Sequence, residues 1–190
     1  IASAQLFQCL VGNLAAPPFQ LQLAKRHFCF AHRHRCNTRQ VAAIHKHMAG
    51  IAPQAVTAVA LTHTHVDHLS GLVDDDGGLA FPNVLRVTVA VEEVMAFRRT
   101  ARMLPVLPLL VPLEQGDGVF PGVTAINAPG HSSGHMAYLV EGRLLIWGDL
   151  VHHAAVQFSD PDVGWSFDDD PDRARRSRRA LMAQAVDAGW

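Results

Sequence analysis

The chain reads as an α/β domain, and three observations predict it. The run Val56-Thr57-Ala58-Val59-Ala60-Leu61 is a short apolar, β-branched stretch. Three apolar segments over 123–128, 136–140 and 144–147 are separated by Gly-containing turns. Asp170-Pro171 then opens a helical pattern towards residue 188. With 49% hydrophobic and 17% charged residues, the 190-residue chain can bury a substantial core, which excludes wholesale disorder. A net charge of -1 gives no general attraction for nucleic acid or an anionic membrane.

Residues 1–50 show weak periodicity and hold all three cysteines, Cys9, Cys29 and Cys36. Their odd number and lack of C-x-x-C spacing argue against a disulfide framework or a zinc knuckle. Order starts near Ile51: a strand over 56–62, a Gly/Asp loop at 74–78, a strand over 84–91 and a helix over 92–103. Pro105, Pro108 and Pro112 stop that helix and impose an extended connection. Glu141-Gly142 joins the last two apolar segments as a hairpin. In the final helix Leu181, Met182 and Val186 fall near one face. Neither an apolar run of the roughly 18 residues a membrane span needs nor a signal-peptide pattern is present. A soluble protein is expected, its compartment left open.

The segment His63-Thr64-His65-Val66-Asp67-His68 follows the first strand directly. In extended backbone, residues two apart share a face, so His63 and His65 can reach one ion while Asp67 and His68 stand where a second could be held. Imidazole nitrogen and carboxylate oxygen suit Zn2+, and also iron, manganese or cobalt. Two later segments repeat this placement at strand ends: Pro129-Gly130-His131-Ser132-Ser133-Gly134-His135, and Trp147-Gly148-Asp149-Leu150. There His131 can be aimed at the ion and Asp149 can supply an oxygen between two ions. No G-x-S-x-G elbow is visible as a rival source of a nucleophile.

In this order, His63 to His68, His131 and Asp149 resemble the metallo-β-lactamase-fold hydrolase superfamily. The stretch from Gly148 through Val151-His152-His153-Ala154-Ala155-Val156-Gln157-Phe158 and Phe167-Asp168-Asp169-Asp170-Pro171 resembles its branch of methyl parathion hydrolase and quorum-quenching lactonases. The resemblance covers residues 51–190 and implies an αββα sandwich, truncated at its C-terminus and irregular at its N-terminus. Residues 1–190 are thus expected to form a single incomplete domain.

Carried over, the resemblance makes His63, His65 and His131 ligands of one metal, with Asp67 and His68 on the other and Asp149 between. It implies two divalent ions, most simply Zn2+, and a bridging hydroxide attacking an ester-type substrate, with Asp67 and Asp149 catalytic. The family's further His lies in a loop beyond residue 190. His152 or His153 could stand in for that ligand, but they and His135 are expected rather to brace ligands or shape loops. The family's Asp-Thr-Gly strand is absent. One encoding of His32-Arg33-His34-Arg35-Cys36-Asn37, read one base later, gives Thr-Gly-Thr-Gly-Ala, so part of residues 1–50 is expected to be misframed. A short path between Glu93 and Leu113 implies a reduced lid, with Phe158, Trp165 and Phe167 as candidate pocket walls.

The implied substrate is a small lactone or organophosphate ester. Lactone-opening relatives often place a Tyr near the carbonyl oxygen, and the single tyrosine, Tyr138, lies in a strand segment, which weighs against a lactone. Arg173, Arg175, Arg176, Arg178 and Arg179 follow four aspartates on the last helix, so charge compensation on a solvated face is expected in place of a nucleic-acid patch. No nucleic-acid or membrane partner is expected, and a homodimer is left open. The alternatives are an inactive fragment holding one metal or none, or a β-lactamase, thioesterase or nuclease of the same fold.

Overall fold

The computed structural model describes residues 8–13, 20–25 and 52–190. Its strands are β1 (Gln8–Asn13), β2 (Gln20–Lys25), β3 (Ala58–Leu61), β4 (Arg86–Ala90), β5 (Leu110–Leu113), β6 (Gly118–Phe120), β7 (Val123–Asn127), β8 (Met136–Val140) and β9 (Leu144–Ile146). The helices are α1 (Val66–Leu69), α2 (Val94–Arg99), α3 (Ala154–Gln157) and α4 (Pro171–Ala188).

Two sheets result. The first has the order β2-β1-β3-β4-β5, antiparallel at β1 and parallel from β3 to β5. The second is an antiparallel β6-β7-β8-β9 meander. All four residues of β3 are buried, as expected for a strand covered on both faces. Its residues nevertheless alternate in what they meet. Ala58 and Ala60 pack with Val123, Ala125, Met136 and Tyr138 between the sheets, while Val59 and Leu61 pack with Leu69, Phe97 and Met103 under the helical layer. The small alanines leave room for the large side chains of β8 opposite. On the outer face of the second sheet, Ala128, Ala137 and Leu150 meet Leu181 of α4. The layers are helix, sheet, sheet, helix, the sandwich that the family resemblance implies.

The helix expected over 92–103 breaks into a 3-10 turn at Val91–Glu93, α2 and a second 3-10 turn at Ala101–Met103. The expected extended connection is only partly found: Leu107–Leu109 forms a further 3-10 turn around Pro108, and the chain extends only at β5, an edge strand, where Pro112 removes a donor the sheet does not need. α4 begins as predicted: the Asp170 side chain accepts from the Arg173 amide, Pro171 occupies the first turn, and Gly189 closes the helix at φ 71°. Its buried residues are Ala174, Arg178 and Leu181. This corrects two expectations, since Val186 is 80% exposed and Arg178 is wholly buried.

β1 and β2 arise where the sequence shows little periodicity. The segment 32–37, on which the expected frame error rests, lies outside the described residues. No described helix is long and apolar enough to cross a membrane.

Candidate metal centre

The end of β3 turns into α1 at His65, which brings His63, His65 and His68 to one edge of the sandwich. The loop after β7 delivers His131 and the turn after β9 delivers Asp149 to the same edge. The rings of His63 and His68 lie 3.9 Å apart, those of His63 and His131 4.7 Å, and those of His65 and His131 4.5 Å. Asp149 Oδ2 is the shared centre: His68 Nε2 lies 3.6 Å from it, His131 Nε2 3.5 Å and His152 Nε2 3.6 Å.

Among the described residues, three sets have ligand atoms within 4.8 Å of one another: His63, His65 and His131; His63, His68 and Asp149; and His131, Asp149 and His152. Five of the six sequence-predicted site residues thus converge. Asp67 stands outside these sets, its exposed carboxylate 3.8 Å from His68 Nε2 at the mouth of the cluster. His152, expected to shape its loop, enters a set instead. Its ring stacks on Trp165 at 5.1 Å and 12°.

The protonation states favour a cation. Burial, with crowding by His68 and His135, holds the His63 imidazole well below its ordinary range; burial and His131 lower that of His65. His63 Nδ1 lies 3.1 Å from the Thr62 hydroxyl, and its buried Nε2 has no hydrogen-bond partner. Burial alone would raise the Asp149 carboxyl, yet the facing imidazoles of His152 and His68 hold it well below the usual carboxylate range. His131 donates from Nδ1 to Asp168 Oδ1 at 2.9 Å, which turns its Nε2 lone pair towards His65 Nδ1, 2.9 Å away. A buried carboxylate, an orphaned imidazole nitrogen and two nitrogens facing each other fit a divalent ion.

Neighbouring groups hold these side chains in place. His135, its pKa pushed down to about 3 by burial, accepts from the Asp149 amide through Nε2 at 3.1 Å. That contact requires Gly148, at φ 58°, because a Cβ there would lie 2.6 Å from the ring. Glu93 accepts from the hydroxyl of Thr64, from Ser132 Oγ at 2.6 Å and from the Gly134 amide at 2.8 Å, tying the first-sheet loop to the second. Gln157 Oε1 accepts from the amides of His152 and His153 at 2.7 and 3.0 Å. A close approach of α4 sets the His131 loop, since any Cβ on Gly130 would meet Ala174 N at 2.0 Å.

Sequence reasoning missed Glu93, Gln157 and Asp168. Glu93 meets its partners, and Asp168 meets His131, only across long stretches of chain, and nothing in the local pattern sets Asp168 apart from Asp169 and Asp170, which follow it before α4. Of the expected pocket walls, Trp165 is partly buried beside His152, while Phe158 and Phe167 are 51% and 63% exposed. Tyr138 faces the sandwich interior, where its hydroxyl donates to the Leu61 carbonyl. Half-buried Arg175 and exposed Arg179 pair with Asp172 and Asp162 at 2.9 and 2.8 Å, the expected charge compensation.

The chain belongs to the Metallo-beta-lactamase superfamily, whose sequence profile matches residues 38–187. Solved structures with the same fold include AidC, a dizinc quorum-quenching lactonase in complex with a product, at 25% identity and a TM-score of 0.65 over 73% of this chain and 56% of that one. The hydrolase AbOPH is similar at 26% identity and a TM-score of 0.63, over 74% and 56%. AiiA of B. thuringiensis, solved with N-decanoyl-L-homoserine at its active site, shares the fold at 19% identity and a TM-score of 0.62 over 99% and 91%. The chain therefore spans little more than half the length of the first two. No curated protein matches it in sequence.

Proposed function

We propose that this chain is a dinuclear metal-dependent hydrolase, with His63, His65 and His131 on one divalent ion, Asp67 and His68 on the other, and Asp149 between them. The observation that carries the reading is the convergence of five imidazoles and one ionised carboxylate from separate loops of both sheets. When bound, such a pair of ions supplies an acidified water and charge for a developing oxyanion. Zn2+ is the simplest occupant for this donor set.

The chain's own residues do the rest. Burial keeps His63 and His65 neutral, so their lone pairs stay available at neutral pH. Asp149 stays ionised and offsets cationic charge in a desolvated site. Asp67, exposed at the mouth, is placed to accept a proton from water entering the cluster. Trp165 and the exposed Phe167, ring centroids 6.3 Å apart, form an apolar rim beside His152 that suits an uncharged ester.

A small lactone or organophosphate ester is the proposed substrate class, in keeping with the methyl parathion hydrolase and lactonase branch. With Tyr138 committed to the core, no tyrosine is left to face a lactone carbonyl. The test is metal analysis combined with turnover of an acyl-homoserine lactone and a nitrophenyl phosphotriester. Two ions per chain and hydrolysis abolished by a chelator are expected; one ion or none, with no turnover, replaces this reading with that of an inactive fragment.

A further inference from the structure

Among the described residues the largest wholly buried side chain is an arginine, Arg178, in the middle of α4. Taking a guanidinium out of water is expensive unless its donors are matched, and here most are. Nε donates to the Leu150 carbonyl at 2.6 Å, and Nη1 donates to the carbonyls of Pro161 and Val163 at 2.8 and 2.9 Å. Nη2 lies 3.8 Å from Asp168 Oδ2. One side chain thus touches the residue after Asp149, the loop that carries Trp165, and the carboxylate that holds His131. Asp168 completes the link: Oδ1 accepts from His131 and Oδ2 from the Trp165 amide at 3.1 Å.

We propose that Arg178 is a positioning residue for the metal centre, acting through Asp168 on His131 and through the Leu150 carbonyl on the turn that presents Asp149. The proposal rests on the metal-centre reading above. The guanidinium facing Asp168 Oδ2 holds that carboxylate turned, so that Oδ1 accepts from His131 Nδ1 and leaves Nε2 as the ligand atom. Although removing one member of a buried ion pair costs stability because its partner is left uncompensated, a purely packing role would be served by a long apolar side chain of similar volume. An electrostatic positioning role would not.

The two roles separate in a cobalt titration of the metal-stripped full chain, followed by visible ligand-field absorption and checked by far-UV circular dichroism. Arg178→Met is expected to fold but to bind cobalt about tenfold more weakly, with shifted bands, the low end of the ~10–100-fold range for groups that brace ligands. Arg178→Lys, which keeps the charge, should recover most of the affinity and the parental band positions. Asp168→Asn should reproduce the shift independently, and carries the test if Arg178→Met does not fold. A parent chain that takes up no cobalt overturns the metal-centre reading and this proposal together. A parent that binds, with Arg178→Met equal to it or Asp168→Asn unshifted, overturns this proposal alone.

Discussion

At the end of β3, four candidate ligands come from six consecutive residues, whereas His131, Asp149 and His152 reach the same cluster from two separate loops of the second sheet. The first group needs little beyond a strand end and one helical turn. The second is held by buried polar groups: His135 behind Asp149, Asp168 behind His131 and Gln157 behind His152. Where ligands are contiguous the backbone aims them; where they are dispersed, tertiary contacts must, and remote substitutions should tell there first.

The largest effect expected from breaking this contrast is at Asp149, which lies within 3.6 Å of three imidazoles. Asp149→Ala should abolish retention of both ions, beyond the ~10–100-fold typical of bracing residues; a variant keeping two ions by elemental analysis would show the second sheet to be dispensable. His65→Ala comes next. Half-buried and on the contiguous side, it should cost one ion and turnover while the second ion stays, and undiminished turnover would remove His65 from the site.

Acidification acts on both halves at once. In the metal-free chain the lowered pKa values of His63, His65 and His135 mean that the unfolded state binds their protons more readily. Their stabilisation is therefore full above about pH 6.5 and is lost as pH falls, for His135 down to about 3. Asp149 and Asp168, also lowered, add stability above about pH 3.9 that disappears below it. Thermal unfolding temperatures should thus decline from neutral pH downward; a flat profile to pH 4 would contradict the buried, neutral imidazoles.

A smaller effect is expected at Glu93, which joins the two halves. Glu93→Gln sets an amide against a cluster of donors and should cost about 1–3 kcal/mol, read by denaturant titration. The smallest effect belongs to Arg179→Ala. That residue is an exposed partner of Asp162, and the change should move stability by no more than about 1 kcal/mol. A larger loss there would mean that the outer arginines of α4 also support the site.

Much of this molecule is legible in the chain because it is local. β3, the β8–β9 hairpin and the Asp170-Pro171 helix start all follow from neighbouring residues, and the His63 to His68 cluster declares its chemistry by spacing alone. β1 and β2 escaped notice because their pairing with each other and with β3, not any internal period, defines them. Arg178 was misread for a subtler reason. Ala174, Arg178 and Leu181 fall at i, i+4 and i+7, so the period does place this arginine on the inward stripe, but its charge and four arginine neighbours suggested solvent.

Composition and order of residues sufficed to establish an α/β chain carrying a histidine-rich site at a strand end, since strand propensity and side-chain alternation act over a few residues. They could not decide which polar residues lie inside. Burial of Arg178, the turning of Asp168 towards His131 and the entry of His152 into the cluster depend on segments that meet only when both sheets and α4 pack together, where desolvation and matched partners set the energy of each charge.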